Sequence, residues 1–559
     1  MISRFLCLLL AATLIGCQDS PSDTTPPANQ TTQSDNLVEV DLVFTNGKII
    51  TVDSNFSVQN TLIVNDGLIV ESGGAELLEK YRPAKTVDLA GKTLMPGFVD
   101  SHTHIRGQPK RFINLSGVSS IADMQKRVEQ KASELGQDEW ITGYGWSEDE
   151  LSEGRKPLRQ DLDNAAPNNP VILTRAGGHS AVVNSLALKL AEITDETPNP
   201  EGGVIERDEQ GVANGIIRER HYIVGGLVPE PTYDELITSL ETNLTELFSK
   251  GITSITDASK RPSEYAMWQE LYAKQSAALP RASLQFQWHD PEAIKALKAK
   301  VGDGNAFLKI GPIKVFVDGG FTGPAAYTKE PYRDQGDYRG HLNMSEADLV
   351  KLLNEVHDDG WQMGIHAIGD AAIELVVEIL ADTLTRNPRA DHRHYLNHFS
   401  MRPSDATLKT MAKHNIHITQ QPNFTYTLEG RYVANLDGWR LEHNNPLRSP
   451  MEHGITVAIS SDILPIGPMV GIYAAVTRKG MSGRVFAPEE AITMEEAIRG
   501  YTLTGAYLGF EEDRKGSLEA GKFADMIVLS DDLLTVEPAQ IMDVQVEQTW
   551  LGGKLVYQK

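Results

Sequence analysis

Two histidines one residue apart close the stretch Met95-Pro96-Gly97-Phe98-Val99-Asp100-Ser101-His102-Thr103-His104. Side chains alternate faces along a strand, so His102 and His104 point the same way. Neutral imidazoles presented together at a strand end can hold one cation. A pair of solvated surface histidines is the plainer reading of a bare His-x-His, but the Pro-Gly lead and the apolar run before it argue for a strand end. His366 closes the run Gln362 to His366, and His398 closes His394 to His398. Taken singly, either could be a core histidine with a satisfied hydrogen bond. Asp462 follows the apolar run Ile455 to Ile459, as a metal ligand would or as a turn aspartate would. Lys314 lies inside Ile310 to Val317, where a lysine is costly unless paired or modified. Such groups on one cation would give metal-assisted hydrolysis, because the ion acidifies water and a nearby carboxylate can carry the proton to a leaving group. The only cysteines are Cys7 and Cys17. Both precede the folded body, which excludes a thiol nucleophile, a cysteine zinc site and a disulfide framework there.

The elements around these residues predict a parallel barrel. Ile252 to Ile255, Ile310 to Val317, Gln362 to His366, His394 to His398, His417 to Gln420 and Thr456 to Ser460 are short apolar runs. Amphipathic helices such as Glu346 to His357, Asp370 to Thr385 and Pro403 to His414 separate several of them. Strand and helix in repeated alternation imply a parallel sheet, and the length of 93–505 suits a closed α/β barrel. About 110–250 exceeds one barrel unit and reads as an inserted subdomain. Residues 38–92 and 506–559 are strand-rich and read as one composite β-subdomain built from both ends. Its expected hairpins are Leu42 to Thr45 with Lys48 to Val52, Thr61 to Val64 with Leu68 to Glu71, and Val544 to Leu551 with Lys554 to Tyr557.

The 95–104 segment resembles the first barrel strand of the amidohydrolase superfamily. From about residue 40 onward the chain is similar to one branch, the YtcJ-like or amidohydrolase 3 proteins. The motifs that carry the likeness are Gly177-Gly178-His179-Ser180, Lys314-Val315-Phe316-Val317-Asp318-Gly319, His366-Ala367-Ile368-Gly369-Asp370, Asn397-His398, Ser461-Asp462 and the closing Lys515-Gly516-Ser517-Leu518-Glu519-Ala520-Gly521-Lys522-Phe523-Ala524-Asp525. The resemblance implies a metal-dependent (β/α)8 barrel, with His102, His104, His366, His398 and Asp462 as ligands to one or two divalent ions, zinc being expected. It implies that Asp462 doubles as catalytic base. It also offers Lys314 as a carboxylated ligand bridging two ions, the alternative being an unmodified lysine paired with Asp318. His179, Trp146 and Asp318 match positions near the site and are substrate-side candidates, although His179 could equally stabilise its own loop. His392 reads as a surface residue, and His394 as structural or directed to the His398 face. The chain departs from the family pattern at Asn397, where Glu is usual, at Gly320, where Ser is usual, and after Asp462, where Ile463-Leu464-Pro465-Ile466 stands.

The first residues read as an export signal. Arg4 precedes the apolar run Phe5 to Ile15, about half the length a membrane span needs. Leu14-Ile15-Gly16-Cys17 resembles a bacterial lipobox, which implies cleavage after residue 16 and lipidation of Cys17; an ordinary signal peptide with an incidental cysteine is the alternative. Residues 17–37 are polar and proline-containing and read as a tether. The expected product is an exported hydrolase, held by its lipid at the periplasmic or outer face of a bacterial membrane. A formal net charge of −24 argues against nucleic-acid binding. The expected reaction is hydrolysis of a non-peptide amide C–N bond in a small molecule. A lactone or other C–O substrate on the same site is the alternative, and a ligand-binding lipoprotein with a relic barrel is the rival of another class. A homodimer is left open.

Overall fold

The computed structural model describes residues 37–559 apart from 149, 177, 179, 289, 290, 322, 323 and 463–465. The expected signal, Cys17 and tether therefore lie outside the described residues, as does His179. Eight parallel strands form one sheet: β1 Phe98–Thr103, β2 Ile252–Lys260, β3 Arg281–Gln287, β4 Leu308–Phe316, β5 Met363–Ala367, β6 Tyr395–His398, β7 His417–Gln420 and β8 Val457–Ile459. They neighbour one another in chain order from β1 to β8. The two edges meet at a parallel bridge between Thr103 and Asp462, where the Asp462 N–H donates to His102 O at 2.9 Å. The sheet is thus a nearly closed (β/α)8 barrel.

The connecting helices form for local reasons. Glu346–Asp358 is capped by the Ser345 side chain, which accepts from Asp348 N, and buries Leu349, Leu353 and Val356 against the barrel. Asp405–Lys413 begins at Ser404 in the same way and buries Leu408 and Met411. Asp370–Arg386 buries Ile373, Val376, Val377 and Leu380. Gly97 lets β1 approach β2 closely, since a Cβ there would meet the Thr253 side chain at 2.3 Å. β3 has no counterpart among the apolar runs read from sequence. Its Ser283, Gln285 and Gln287 interrupt the pattern, yet Gln285 is fully buried and donates from Nε2 to Gly364 O at 3.1 Å.

Outside the barrel, a six-stranded sheet joins the two ends of the chain, in the order Lys554–Gln558, Val546–Leu551, Met526–Leu529, Thr93–Pro96, Lys48–Ile50 and Val58–Gln59. A four-stranded sheet, Leu68–Gly73, Thr61–Asn65, Val38–Thr45 and Tyr81–Asp88, shares its core through Phe44, Leu62, Leu94, Met526 and Trp550. The first expected hairpin is corrected: Val38–Thr45 pairs with Thr61–Asn65 and Tyr81–Asp88, whereas Lys48–Ile50 belongs to the other sheet. Asn46-Gly47 is a corner between sheets, closely packed on Leu89, whose side chain a Cβ at Gly47 would meet at 2.5 Å. A separate six-stranded sheet with its own core spans Phe112–Asn114 to Ala213–Arg218 between β1 and β2.

The closing motif has a structural task. Asp525 receives two charge-assisted bonds from Arg281 at the start of β3, Nε to Oδ2 at 2.6 Å and Nη2 to Oδ1 at 3.0 Å. Both side chains are buried, and Asp525 Oδ1 also accepts Gly552 N at 2.8 Å. The Arg281 guanidinium lies 3.7 Å from the Phe523 ring centroid. Removing one partner of such a pair strands a buried charge, at a cost of about 3–5 kcal/mol. Asp525→Ala is therefore expected to lower the unfolding free energy by about that much in a urea titration, whereas a loss below about 1 kcal/mol would show that the pair does not tie the terminal sheet to the barrel.

Candidate metal centre

The candidate ligands gather where β1 and β8 meet. His104 Nε2 is 3.3 Å and His102 Nε2 3.8 Å from Asp462 Oδ1. One ligand atom from each of His102, His104 and Asp462 falls within 4.8 Å of the others. The His102 ring centroid is 5.2 Å from that of His104 and 5.0 Å from that of His398, and His366 and His398 are 4.4 Å apart. Lys314 is fully buried inside the barrel, with Nζ 3.2 Å from His102 Nε2. It turns to His102, and among the described residues no ion pair joins it to Asp318. The five groups implied as ligands thus share one end of the barrel, with Lys314 beneath them.

Backbone geometry at the site is unusual. His398 has φ 75°, Phe399 φ 49° and Asp462 φ 58°. Non-glycine residues rarely adopt this left-handed region, and where they do the surroundings must enforce it. For Asp462 the enforcing contact is the barrel-closing bond to His102 O. For the turn after His398 it includes Gln420, whose Nε2 donates to Phe399 O at 3.1 Å.

Burial sets the electrostatics. Desolvation holds His102, His104 and His398 well below the usual imidazole range and His366 at about 3, with the Lys314 cation adding to each effect. These rings are neutral at physiological pH, the state in which imidazole binds metal. Burial pushes Asp462 up to about 7, Lys314 pulls it down and Asp100 pushes it up. Burial also brings Lys314 down to about 7, opposed by Asp462. Several ring and carboxylate atoms are buried with no hydrogen-bond partner among the described residues: His102 Nδ1, His366 Nε2 and Asp462 Oδ1. Such orphaned polar atoms are costly in a folded protein. A divalent ion held by His102, His104 and Asp462, with His366 and His398 beside it, fits this donor set of nitrogen and oxygen atoms without sulfur.

The substrate-side candidates fare differently. Trp146 is corrected: it is buried in the core of the inserted sheet, packed with Leu115, Val118 and Leu173, and its Nε1–H donates to Leu173 O at 2.9 Å. Asp318 lies beside His366 and serves the loops around it. It is buried, and its carboxylate accepts from Ile368 N at 3.1 Å, Gly369 N at 2.9 Å and Tyr327 N at 3.0 Å. It staples the loop after β4 to the loop after β5 and so steadies His366, whose Nε2 is 3.6 Å from Asp318 Oδ1. Gly369 is required there, because a Cβ would meet Tyr327 O at 1.9 Å. His392 is buried rather than on the surface, since its Nε2 faces His414 O at 2.9 Å and its Nδ1 accepts His394 N. His394 is structural, bonded to His357 Nδ1 at 2.9 Å and to Met363 N.

Three buried residues near the site were given no role from sequence. Asp100 Oδ1 accepts Ser461 N at 3.0 Å, which fixes the residue before Asp462. Its alternation with His102 and His104 on one strand face was the available signal. Asp257 accepts Ile105 N at 3.2 Å and pairs with Lys260 at 3.2 Å, both buried, beside the end of β1. No spacing in the sequence signalled that pair.

The sequence model described as "Amidohydrolase family" matches residues 85–557. YtcJ of Bacillus subtilis (strain 168), which carries the amidohydrolase name, is 28% identical over 511 residues, covering 89% of this chain and 95% of its own. The N-substituted formamide deformylase of Arthrobacter pascens is 27% identical over 544 residues, covering 93% of this chain and 98% of its own. The crystal structure of an uncharacterized metal-dependent hydrolase from Pyrococcus furiosus aligns with a TM-score of 0.69 and 26% identity, covering 88% of this chain and 100% of its own.

Cation binding should carry the signature of Asp462. Its protonated form prevails below about 7, and a cation must displace that proton, so affinity falls as pH falls. The buried imidazoles stay neutral in the same window and add no slope. In titrations of the metal-free protein between pH 5 and 7, log Kd should depend on pH with a slope smaller by one proton in Asp462→Asn than in the parent, about tenfold per pH unit. Equal slopes would remove Asp462 from the ligand set.

Proposed function

The chain belongs to the amidohydrolase family, and from that premise we propose that this hydrolase cleaves the C–N bond of a small, non-peptide amide. The observation that carries the reading is the convergence of His102, His104 and Asp462 within 4.8 Å, at the C-terminal ends of barrel strands where barrel enzymes do their chemistry. The reading of an amide substrate is supported by the family itself and by the near full-length likeness to an N-substituted formamide deformylase. Zinc is the ion proposed, held by His102, His104 and Asp462 with His366 and His398 adjoining. When bound, such an ion supplies a Lewis acid for the scissile carbonyl and acidifies water.

The remaining chemistry falls to the chain. Asp462 takes the proton of the attacking water and passes it to the leaving nitrogen. Held ionised, the carboxylate can accept the first proton, and once protonated it can donate to the leaving nitrogen. Lys314 is proposed to be carboxylated: its neutral Nζ adds to the carbon of carbon dioxide, one N–H proton is released, and an anionic carbamate replaces a buried amine. The depressed basicity of Lys314, which burial brings to about 7, supports this by keeping much of it unprotonated. Asp100 holds Ser461 beside Asp462, and Asp318 holds the loop that follows His366 at the end of β5. We also propose that the folded body is tethered outside the cytoplasm through lipidated Cys17; the apolar run and Gly16-Cys17 support that reading.

The test is turnover of zinc-loaded protein on N-formyl and N-acyl amines, cyclic amides and lactones. Amide turnover with kcat lowered about 10²- to 10⁴-fold in Asp462→Asn is expected. Turnover confined to lactones, or unchanged in that variant, would contradict the proposal. For the anchor, Cys17→Ser is expected to abolish palmitate incorporation and to move the protein from the membrane to the soluble fraction. Unaltered fractionation would contradict it.

A further inference from the structure

Two consecutive glutamines, Gln420 and Gln421, serve His398, and the second decides which of its nitrogens can face a cation. Gln421 is fully buried just beyond β7, and its Oε1 lies 2.8 Å from His398 Nδ1. An amide side chain can be turned either way, and only its partners fix which atom is oxygen. The other amide atom of Gln421 sits 2.7 Å from Ser460 Oγ and 3.4 Å from the backbone carbonyl Thr419 O. A carbonyl oxygen can be faced only by a donor, so that atom is Nε2. The hydroxyls around it agree. Ser460 Oγ reaches Gln420 O at 3.4 Å and Thr419 Oγ1 at 3.1 Å; Thr419 Oγ1 reaches Ser101 Oγ at 2.7 Å; Ser101 Oγ donates to Ile459 O at 3.1 Å. Ser101 and Ser460 each reach a backbone carbonyl with their proton and Thr419 can donate its own to Ser101, which leaves Ser460 Oγ free to accept from Gln421. With Nε2 committed, Oε1 must face His398, and an amide oxygen accepts but never donates. His398 therefore carries its proton on Nδ1, and Nε2 is left with its lone pair.

We infer that Gln421 is a positioning residue: it fixes the Nδ1–H tautomer of His398 and so reserves Nε2 for the cation. Metal-binding histidines generally donate their other ring N–H to a carboxylate, carbonyl or water. Here a side-chain amide fills that place, oriented by a hydroxyl chain crossing β8, β7 and β1. Gln420 works on the same residue from the backbone, clamping Phe399 O in the left-handed turn that follows His398. The inference rests on the proposal that His398 adjoins a bound divalent ion.

Cobalt(II) is the probe, added to the metal-free protein, with affinity measured by competition against a chelator and ligand N–H protons observed as hyperfine-shifted resonances. In the parent protein His398 should give a solvent-exchangeable shifted resonance that disappears in His398→Ala. Gln421→Met, apolar and of similar size, is expected to weaken cobalt binding about 10- to 100-fold and to lose or speed the exchange of that one resonance. Gln421→Glu, which still accepts from Nδ1, is expected to restore the resonance and most of the affinity. Parent-like affinity and resonance in Gln421→Met would overturn the inference, as would a Gln421→Glu variant no better than Gln421→Met. Should Gln421→Met fail to fold, Gln421→Leu, which also removes the acceptor, carries the test: weaker binding with loss or faster exchange of that resonance supports the inference, and unchanged values overturn it. A parent protein that binds no cobalt would instead bring down the metal reading on which it rests.

Discussion

The barrel must close for the site to exist. β1 carries His102 and His104, and Asp462 follows β8, far along the chain, yet the N–H of Asp462 donates to His102 O at 2.9 Å. That backbone bond helps join the edges of the sheet and sets the acid beside both imidazoles, 3.3 Å from one and 3.8 Å from the other. It also holds Asp462 in the left-handed region, at φ 58°. Around this seam Asp100 fixes Ser461, and Asp257 with Lys260 fixes Ile105. The fold supports the candidate ligands from both sides through buried polar groups of its own.

That arrangement is expensive before any ion binds. Carboxylates at Asp100, Asp257, Asp318 and Asp462 are all pushed up to about 7 by burial, and the neighbouring imidazoles are driven neutral. Burying unpaired polar atoms is tolerated in native proteins chiefly where function needs them. A cation between His102, His104 and Asp462 would satisfy the orphaned oxygen of Asp462 and would favour the ionised form of the acid. Stability and catalysis are thus linked at Asp462, whose burial is costly and whose carboxylate would help hold the ion.

Much of this was legible in the sequence, for identifiable reasons. His102 and His104 were visible because a strand of period two ends on them. His366 and His398 close short apolar runs and Asp462 follows one, but it was the family resemblance that marked them as ligands. Lys314 stood out as a cation within a buried strand, although its partner is His102 and not Asp318. β3 escaped because its polar residues point into a barrel interior that is itself polar, so its pattern resembled that of an exposed strand. Trp146 was offered only by its match to a family position, and it fills the core of the inserted sheet. The first turn at Asn46-Gly47 looked like a hairpin, but turn chemistry cannot tell a hairpin from a corner between two sheets. Gln421 was invisible, since its role comes from a hydroxyl chain spanning three strands that no local pattern encodes.

The most direct test of the central claim is anomalous diffraction from crystals soaked in zinc, recorded at the zinc absorption edge. A principal peak is expected within about 2.0–2.3 Å of ligand atoms of His102, His104 and Asp462. A well-occupied peak elsewhere in the molecule, with none between those three side chains, would contradict it.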